Sequence, residues 1–560
     1  MDFTNLEILT KEIELQKRII KQSFPSKDNR FSILELTRCW DNIFVLVVFL
    51  MNKSDEEYKS KNDLFEFISN GFFGALNLFY NDSVNRDGCP LHVSNQESIY
   101  WANRVLINMG HIGHFTKLLE LYKQKVFSIE QKKDSFYFKN LTPNPGREAL
   151  GANDFYFWQM NKLFHKDVNQ RLLELKPTIE QQLFDEVEIW NGDFIKYGCT
   201  PELDEFYELS ANEYSQRMHS YDAFPNYVKF GNLYFSDILE IVKALIGYTL
   251  KHKDHCLALL KKSNYSINPW NIYPMPYLLQ DIAYSISIHK NLVCEHVLEI
   301  LKAITLTEKN ISFLGNAPGD SAPPLIKIGK NHVLQSIGGC LSNPFSYMVR
   351  ALKYHFEKDY FKAVNEREKV FQQELYDLFE SDSIYKSCKN INIRANGKLL
   401  TDIDALLFDD VNKRLVIIQL KWMDDFSTSM SKRFSMAKNF YDSSIKWIDK
   451  MESWIKTNGI DNLMEYLDNV KSIRTIEVEN IELLILGRNF SHFSDKMEDK
   501  RAIWCSWYRL LKIVTEDPLL KTDLTKLLNS LRTNSIQNES IPVNEEMNLQ
   551  IGKYKILISI

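Results

Sequence analysis

The chain of 560 residues lacks most of the patterns that identify a chemistry at sight. Its eight cysteines include no C-x-x-C pair, which removes zinc-finger spacing and suits reduced thiols in a cytoplasmic protein. No G-x-x-x-x-G-K followed by Ser or Thr occurs, so a P-loop motor on this chain is not expected. A G-x-S-x-G elbow and a Rossmann glycine fingerprint are also missing. The apolar run IFVLVVFLM, from Ile43 to Met51, is about half the length a bilayer demands and is expected as a core helix. The opening MDFTNLEILTKEIELQKR carries acids early and offers no export signal. A basic excess is absent too: the formal net charge of −5 argues against a chain-wide grip on nucleic acid and confines any such contact to a local cleft.

What is present is ample apolar content, 44% hydrophobic, enough for about three or four domains in a chain of this length. Helical spacing dominates up to about residue 310, as in LLELYKQKVFSI, FSDILEIVKALIGYTL and CEHVLEILKAITL, so residues 1–315 are expected to be all-α. NAPGDSAPPL, at 316–325, concentrates proline and glycine and places a boundary. Residues 316–360 then read as a linker with a small β-hairpin turning at Gly329 and Lys330, followed by the helix SYMVRALKYHF. Residues 361–497 read as an α/β core, and 498–560 as two helices, RAIWCSWYRLLKIVTE and DLTKLLNSLR, with a closing strand YKILISI. The fold class expected is α+β, multidomain. His252, His255 and Cys256 in KHKDHC, and His111 and His114 in HIGHF, read as ordinary surface and core residues rather than metal ligands.

The informative stretch lies near residue 400. TDIDALLF and LVIIQLKW are strand-like and separated by the polar turn DDVNKR. Side chains alternate faces along a strand, so Asp402 and Asp404 share a face, as do Gln419 and Lys421. If Phe408 pairs with Leu415, counting back sets Asp404 opposite Gln419 and Asp402 opposite Lys421, with opposed Cβ atoms about 5 Å apart. Ile403, Ala405, Leu407, Val416, Ile418 and Leu420 would then form an apolar reverse face. Two carboxylates, an amide and an ammonium confined to one end of otherwise apolar strands carry a solvation penalty that a site would explain.

These residues resemble the core of the PD-(D/E)XK nuclease superfamily, the restriction-endonuclease-like fold, and within it the Mrr-type enzymes with a Q-x-K variant. In that family an Asp begins one strand, an acidic residue or Gln two before a Lys ends the next, and a helix just upstream supplies a Glu. The resemblance implies a mixed central sheet, Asp404 as metal-binding Asp, Gln419 as the variable second ligand and Lys421 as the family lysine. Gln in place of an acid removes one negative charge and weakens affinity for a divalent cation.

The helix NEREKVFQQELYDLFE carries its apolar residues at helical spacing. At about 100° per residue, Glu368 falls within the apolar arc and Glu374 on its flank. Glu368 is the first choice for the helix-borne ligand and Glu374 the second; the competing reading pairs Glu368 with Lys398. Asp402 is either an accessory ligand or a partner that tunes Lys421 through a salt bridge. Downstream, STSMSKRFSMAKNFYDSSIKWIDKM reads as a helix whose Lys432, Arg433 and Lys438 can meet backbone phosphates, the competing reading being a solvated basic face. NIELLILGRNF reads as a strand at an edge of the same sheet.

The expectation is therefore a Mg2+- or Mn2+-dependent nuclease, with DNA as substrate. By resemblance alone it serves restriction or anti-phage defence and acts as a homodimer or higher oligomer. The competing expectation from another class is a nuclease-like binding or scaffold protein without turnover, and a third is a helical interaction protein unrelated to nucleic acid.

Overall fold

A computed structural model describes the chain except residues 1–2, 24–27, 55, 142–167, 191–193, 263–266, 316, 380, 388–390, 396, 423–428, 460–462, 464–466, 468–479, 490–496, 535–545 and 560. The protein is α+β. No helix among the described residues is long and apolar enough to cross a membrane.

Buried side chains gather into two bodies. The first runs from Leu9 to Ala363 and takes in the long helices Gln96–Lys123 and Phe235–Lys261. It is not all-α, as the helical spacing suggests. The hairpin Phe127–Lys132 with Ser135–Asn140 forms a four-stranded sheet with Tyr554–Ser559 and Glu546–Ile551 from the far end of the chain. Ile556 and Ile558 bury against Phe136 and Phe138 there, and so the YKILISI strand belongs with the N-terminal helices. A second four-stranded sheet joins Met275–Leu278, His332–Gln335, Leu325–Lys327 and Thr305–Leu306. That sheet contains the expected hairpin about Gly329 and Lys330. It also means that the proline-rich stretch does not divide two cores, since Ala322 and Leu325 are buried in the same body as the helices before them. The helix Asn29–Val45 continues as one π-helical segment, Leu46–Leu50, whose Val48 and Leu50 stay exposed, so only part of IFVLVVFLM is core.

The second body is built on a five-stranded mixed sheet. In chain order its elements are helix α1 (Glu357–Asp377), strand β1 (Ile384–Lys386), the two-stranded ribbon β2 (Ile391–Ala395) and β3 (Lys398–Ile403), and strands β4 (Ala405–Asp409) and β5 (Arg414–Lys421). Helix α2 (Met430–Asn458), strands β6 (Ile481–Gly487) and β7 (Ala502–Ser506), and helices α3 (Trp507–Glu516) and α4 (Leu524–Thr533) follow. The sheet order is β1-β4-β5-β6-β7, antiparallel as far as β5 and parallel from β5 to β7. Both faces are covered, as unbroken apolar runs in β4, β5 and β6 require. Ala405, Leu407, Val416, Ile418 and Leu486 pack on Phe371, Leu375, α3 and α4. Leu406, Phe408, Leu415, Ile417 and Ile485 pack on Phe440, Trp447, Ile448 and Met451 of α2.

Phe408 does pair with Leu415. The turn between them is fixed by Asp409, wholly buried, whose carboxylate accepts the amides of Val411, Asn412 and, at the start of α4, Leu524. Two placements differ from expectation. The NIELLILGRNF strand, β6, is interior, and the edge belongs to β7, which lies within the run RAIWCSWYRLLKIVTE expected as a helix. Ser506 caps α3 by accepting from the Arg509 amide, so the helix starts only at Trp507 and AIWC is free to extend as a strand. The apolar body of this unit consequently extends past residue 497, through Leu531.

Candidate active site

The site forms where the chain leaves the ribbon and enters the sheet. β3 pairs with β2, then bends at Asp404, and β4 pairs with β5. The backbone amide of Asp404 still donates to the carbonyl of Ile418, which keeps the residue against β5. The expected meeting of Asp404 and Gln419 occurs: the Gln419 side-chain amide donates to Asp404 Oδ2, which also accepts the Leu420 N–H at 2.7 Å. Both side chains are buried, at 3% exposure each.

The expected opposition of Asp402 and Lys421 does not extend the ladder. Asp402 pairs with Asn392 across the ribbon, because the bend at Asp404 transfers β3 to a different partner. The same bend puts Ile403 on the α2 side, away from Ala405 and Leu407. The α2 helix holds β3 in place: Trp447 Nε1 donates to the Asp402 carbonyl at 2.7 Å and Lys450 Nζ to the Leu400 carbonyl at 2.7 Å.

Glu368 faces this junction from α1. Its electrostatic neighbours are Lys421 and Asp402 rather than Lys398. One turn on, the Gln372 amide donates to the Asp404 carbonyl, tying α1 to the bend. Glu374 is placed elsewhere. It pairs with Arg488, the residue following β6, and does not enter the cluster.

The electrostatics are those of an acidic cluster that one ammonium only partly compensates. Burial pushes the Asp404 carboxyl up to about 7; Lys421 opposes this, while Glu368 and, more weakly, Asp402 add to it. Burial likewise raises Glu368, again against Lys421 and with Asp402. Three carboxylates thus share one ammonium, and Asp404 and Glu368 would ionise more readily beside a cation. The carboxylate oxygens, and the Gln419 amide oxygen once that amide turns over, are the hard ligands that Mg2+ and Mn2+ accept. Among the described residues no three His, Cys, Asp or Glu side chains are gathered closely enough to hold an ion unaided. Asp404 with Gln419 suits an ion that keeps several of its waters, with Glu368 and Asp402 in outer positions.

No family model, curated protein or solved structure matches the chain. The site's chemistry rests on its own geometry.

Lys432, Arg433 and Lys438 lie on the first turns of α2 and are all exposed, while Phe440 and Trp447 turn inward as core. The N-terminus of this helix is capped by Glu120 of the first body, which accepts the Ser431 amide at 3.1 Å. His252, His255 and Cys256 are satisfied core residues. His252 bonds the Tyr197 hydroxyl at 2.7 Å, and His255 Nε2 accepts the Gly198 amide at 3.0 Å.

Three residues at or near the site carry little or no mark in the sequence. Gln372 gives no signal beyond lying one turn after Glu368. Arg367 is buried at 2% exposure on the stripe Ala363, Arg367, Phe371, Leu375, and its four-residue spacing from apolar neighbours is the available clue. Arg488 follows a Gly that ends a buried strand, and nothing local marks it.

Proposed function

We propose that the protein is a divalent-metal-dependent nuclease that hydrolyses phosphodiester bonds, with DNA as substrate. The observation that carries this is the convergence of Asp404, Gln419, Lys421 and Glu368 at the bend between ribbon and sheet, with Asp404 buried and pushed up to about 7 by burial and neighbouring acids. The placement matches the PD-(D/E)XK pattern: Asp404 stands at the start of β4, Gln419 and Lys421 end β5, and Glu368 lies on the helix just upstream. The five-stranded mixed sheet supports a restriction-endonuclease-like core.

In this reading Asp404 and the Gln419 amide oxygen hold Mg2+ or Mn2+, which needs the Gln419 amide to turn its oxygen where the nitrogen now points. The bound ion supplies neutralisation of the scissile phosphate and a water of lowered pKa. Lys421, a compact ammonium at the strand end, orients the attacking water and stabilises charge accumulating on the phosphoryl oxygens. Glu368 and Asp402 keep that ammonium and the ion's water shell in place. The cations at the start of α2 meet the backbone of the DNA.

Plasmid nicking with Mg2+ or Mn2+ tests this. The wild-type protein is expected to nick, EDTA to stop it, and Lys421→Ala or Asp404→Ala to abolish it while the melting temperature stays within a few degrees. Nicking by the Lys421→Ala, Asp404→Ala double variant at the wild-type rate removes the assignment. A second reading, a nuclease-like binder without turnover, draws on the amide at Gln419 where an acid is commoner; tight retention of uncut plasmid would favour it.

A further inference from the structure

The two positions that flank the site residues in sequence carry an arrangement the cleavage chemistry does not use. Arg367 precedes Glu368, and Trp422 follows Lys421. The Arg367 guanidinium lies over the Trp422 ring at 5.6 Å, and that of Arg488 lies over the same ring at 4.7 Å. Two cations on one indole repel each other unless each has its own counter-contact. Arg488 is paired with Glu374 of α1 and, at 2.5 Å, with Asp222 of the first body. Arg367 donates through Nε to the Ala223 carbonyl at 2.7 Å and stacks on Phe224 at 4.3 Å. Both arginines are therefore gripped by three successive residues, Asp222, Ala223 and Phe224.

That tripeptide is fixed firmly at its own end. Phe224 packs edge-on against Phe230 at 5.1 Å and Phe235 at 5.3 Å, and Tyr221 packs against Phe345, all within the core of the first body. The other end of the linkage reaches the site directly, because the Arg488 amide donates to the Lys421 carbonyl at 2.8 Å. A loop on one body thus contacts Arg488, the residue whose amide donates to the Lys421 carbonyl on the other, and, through Arg367, the helical turn that carries Glu368.

We propose that Asp222, Arg488, Arg367 and Trp422 form a positioning clamp by which the N-terminal body holds Lys421 and Glu368 in register with Asp404. These are positioning residues; none touches substrate. The arrangement gives the helical body control over turnover, since any partner that draws the 222–224 loop away releases the strand end that carries the lysine.

The kinetic arm of the test rests on the nuclease reading, and a second arm does not. Asp222 is half exposed, at 49%, so Asp222→Asn is expected to fold normally. Its kcat for plasmid nicking should fall about tenfold with KM little changed, a modest loss for a displaced catalytic group, and Asp222→Glu should recover most of it. A wild-type kcat in Asp222→Asn overturns the proposal. Should the wild-type protein nick nothing, the nuclease reading fails and hydrogen exchange of the full-length protein decides the clamp. Faster exchange of the Arg414–Trp422 amides in Asp222→Asn, at an unchanged melting temperature, upholds it; unchanged exchange overturns it.

Discussion

Asp404 sets the behaviour of the site. Its folded carboxyl is pushed up to about 7 from an ordinary value of 3.8, so the folded state binds a proton there that the unfolded chain has already released. The sign follows: this residue favours folding most below about pH 4 and the contribution is lost as pH rises through 7, a change of a few kcal/mol at most. Asp404→Asn keeps an acceptor for the Leu420 amide and abolishes the titration. The variant is expected to melt higher than wild type at pH 8 without added metal and near wild type at pH 5; equal differences at the two pH values would contradict the assignment. Cation uptake should also release protons and strengthen from pH 6 to 8, as ligand deprotonation requires.

At the scale of elements, the β4–β5 hairpin is legible because two apolar runs flank a short polar turn that sets their register, and with both faces covered a one-residue slip would exchange the two core faces and part Asp404 from Gln419. From Phe408 and Leu415 the meeting of Asp404 with Gln419 follows. The bend at Asp404 is not legible: TDIDALLF holds no Gly or Pro to mark it, and only the partner ribbon at Ile391–Ala395 takes Asp402 out of line with Lys421. The helical wheel ranks Glu368 above Glu374 but does not exclude Glu374, because the arginine that claims Glu374 comes from 114 residues further along the chain. Strand β7 is hidden because WCSWYRLLKIV has helical spacing, and the cap at Ser506 decides where the helix begins. The basic start of α2 carries its own prediction. Replacing Lys432, Arg433 and Lys438 together with Ala should weaken DNA binding alike for all sequences, and flatten its salt dependence by about one unit of slope for each phosphate no longer neutralised. An unchanged slope in a filter-binding titration would reduce that face to solvated surface.

For the whole molecule, two cores imply two cooperative units, stapled by the Asp222 clamp and the Glu120 cap. The closing strand Tyr554–Ser559 belongs to the N-terminal unit, although it follows the sheet that bears the site. Ile556→Ala, at a position with no exposure, should cost about 2–5 kcal/mol. In calorimetry that loss should move the transition of the N-terminal unit, whereas Leu486→Ala should move the other; a single transition shifted alike by both would show one unit. The division into these two bodies lies beyond the sequence, because a strand from the far end of the chain leaves no local trace of its hairpin partner, as the pairing of Phe138 with Ile558 illustrates.

The proposed chemistry requires the bend between ribbon and sheet to take up a divalent cation. Isothermal titration of Mn2+ into the full-length protein at pH 8, beside Asp404→Ala, measures this without any assumption about substrate. Saturable uptake of the metal by wild type at millimolar concentration or below, abolished in Asp404→Ala, is the result predicted. Absence of uptake, or identical uptake by both proteins, would contradict the account.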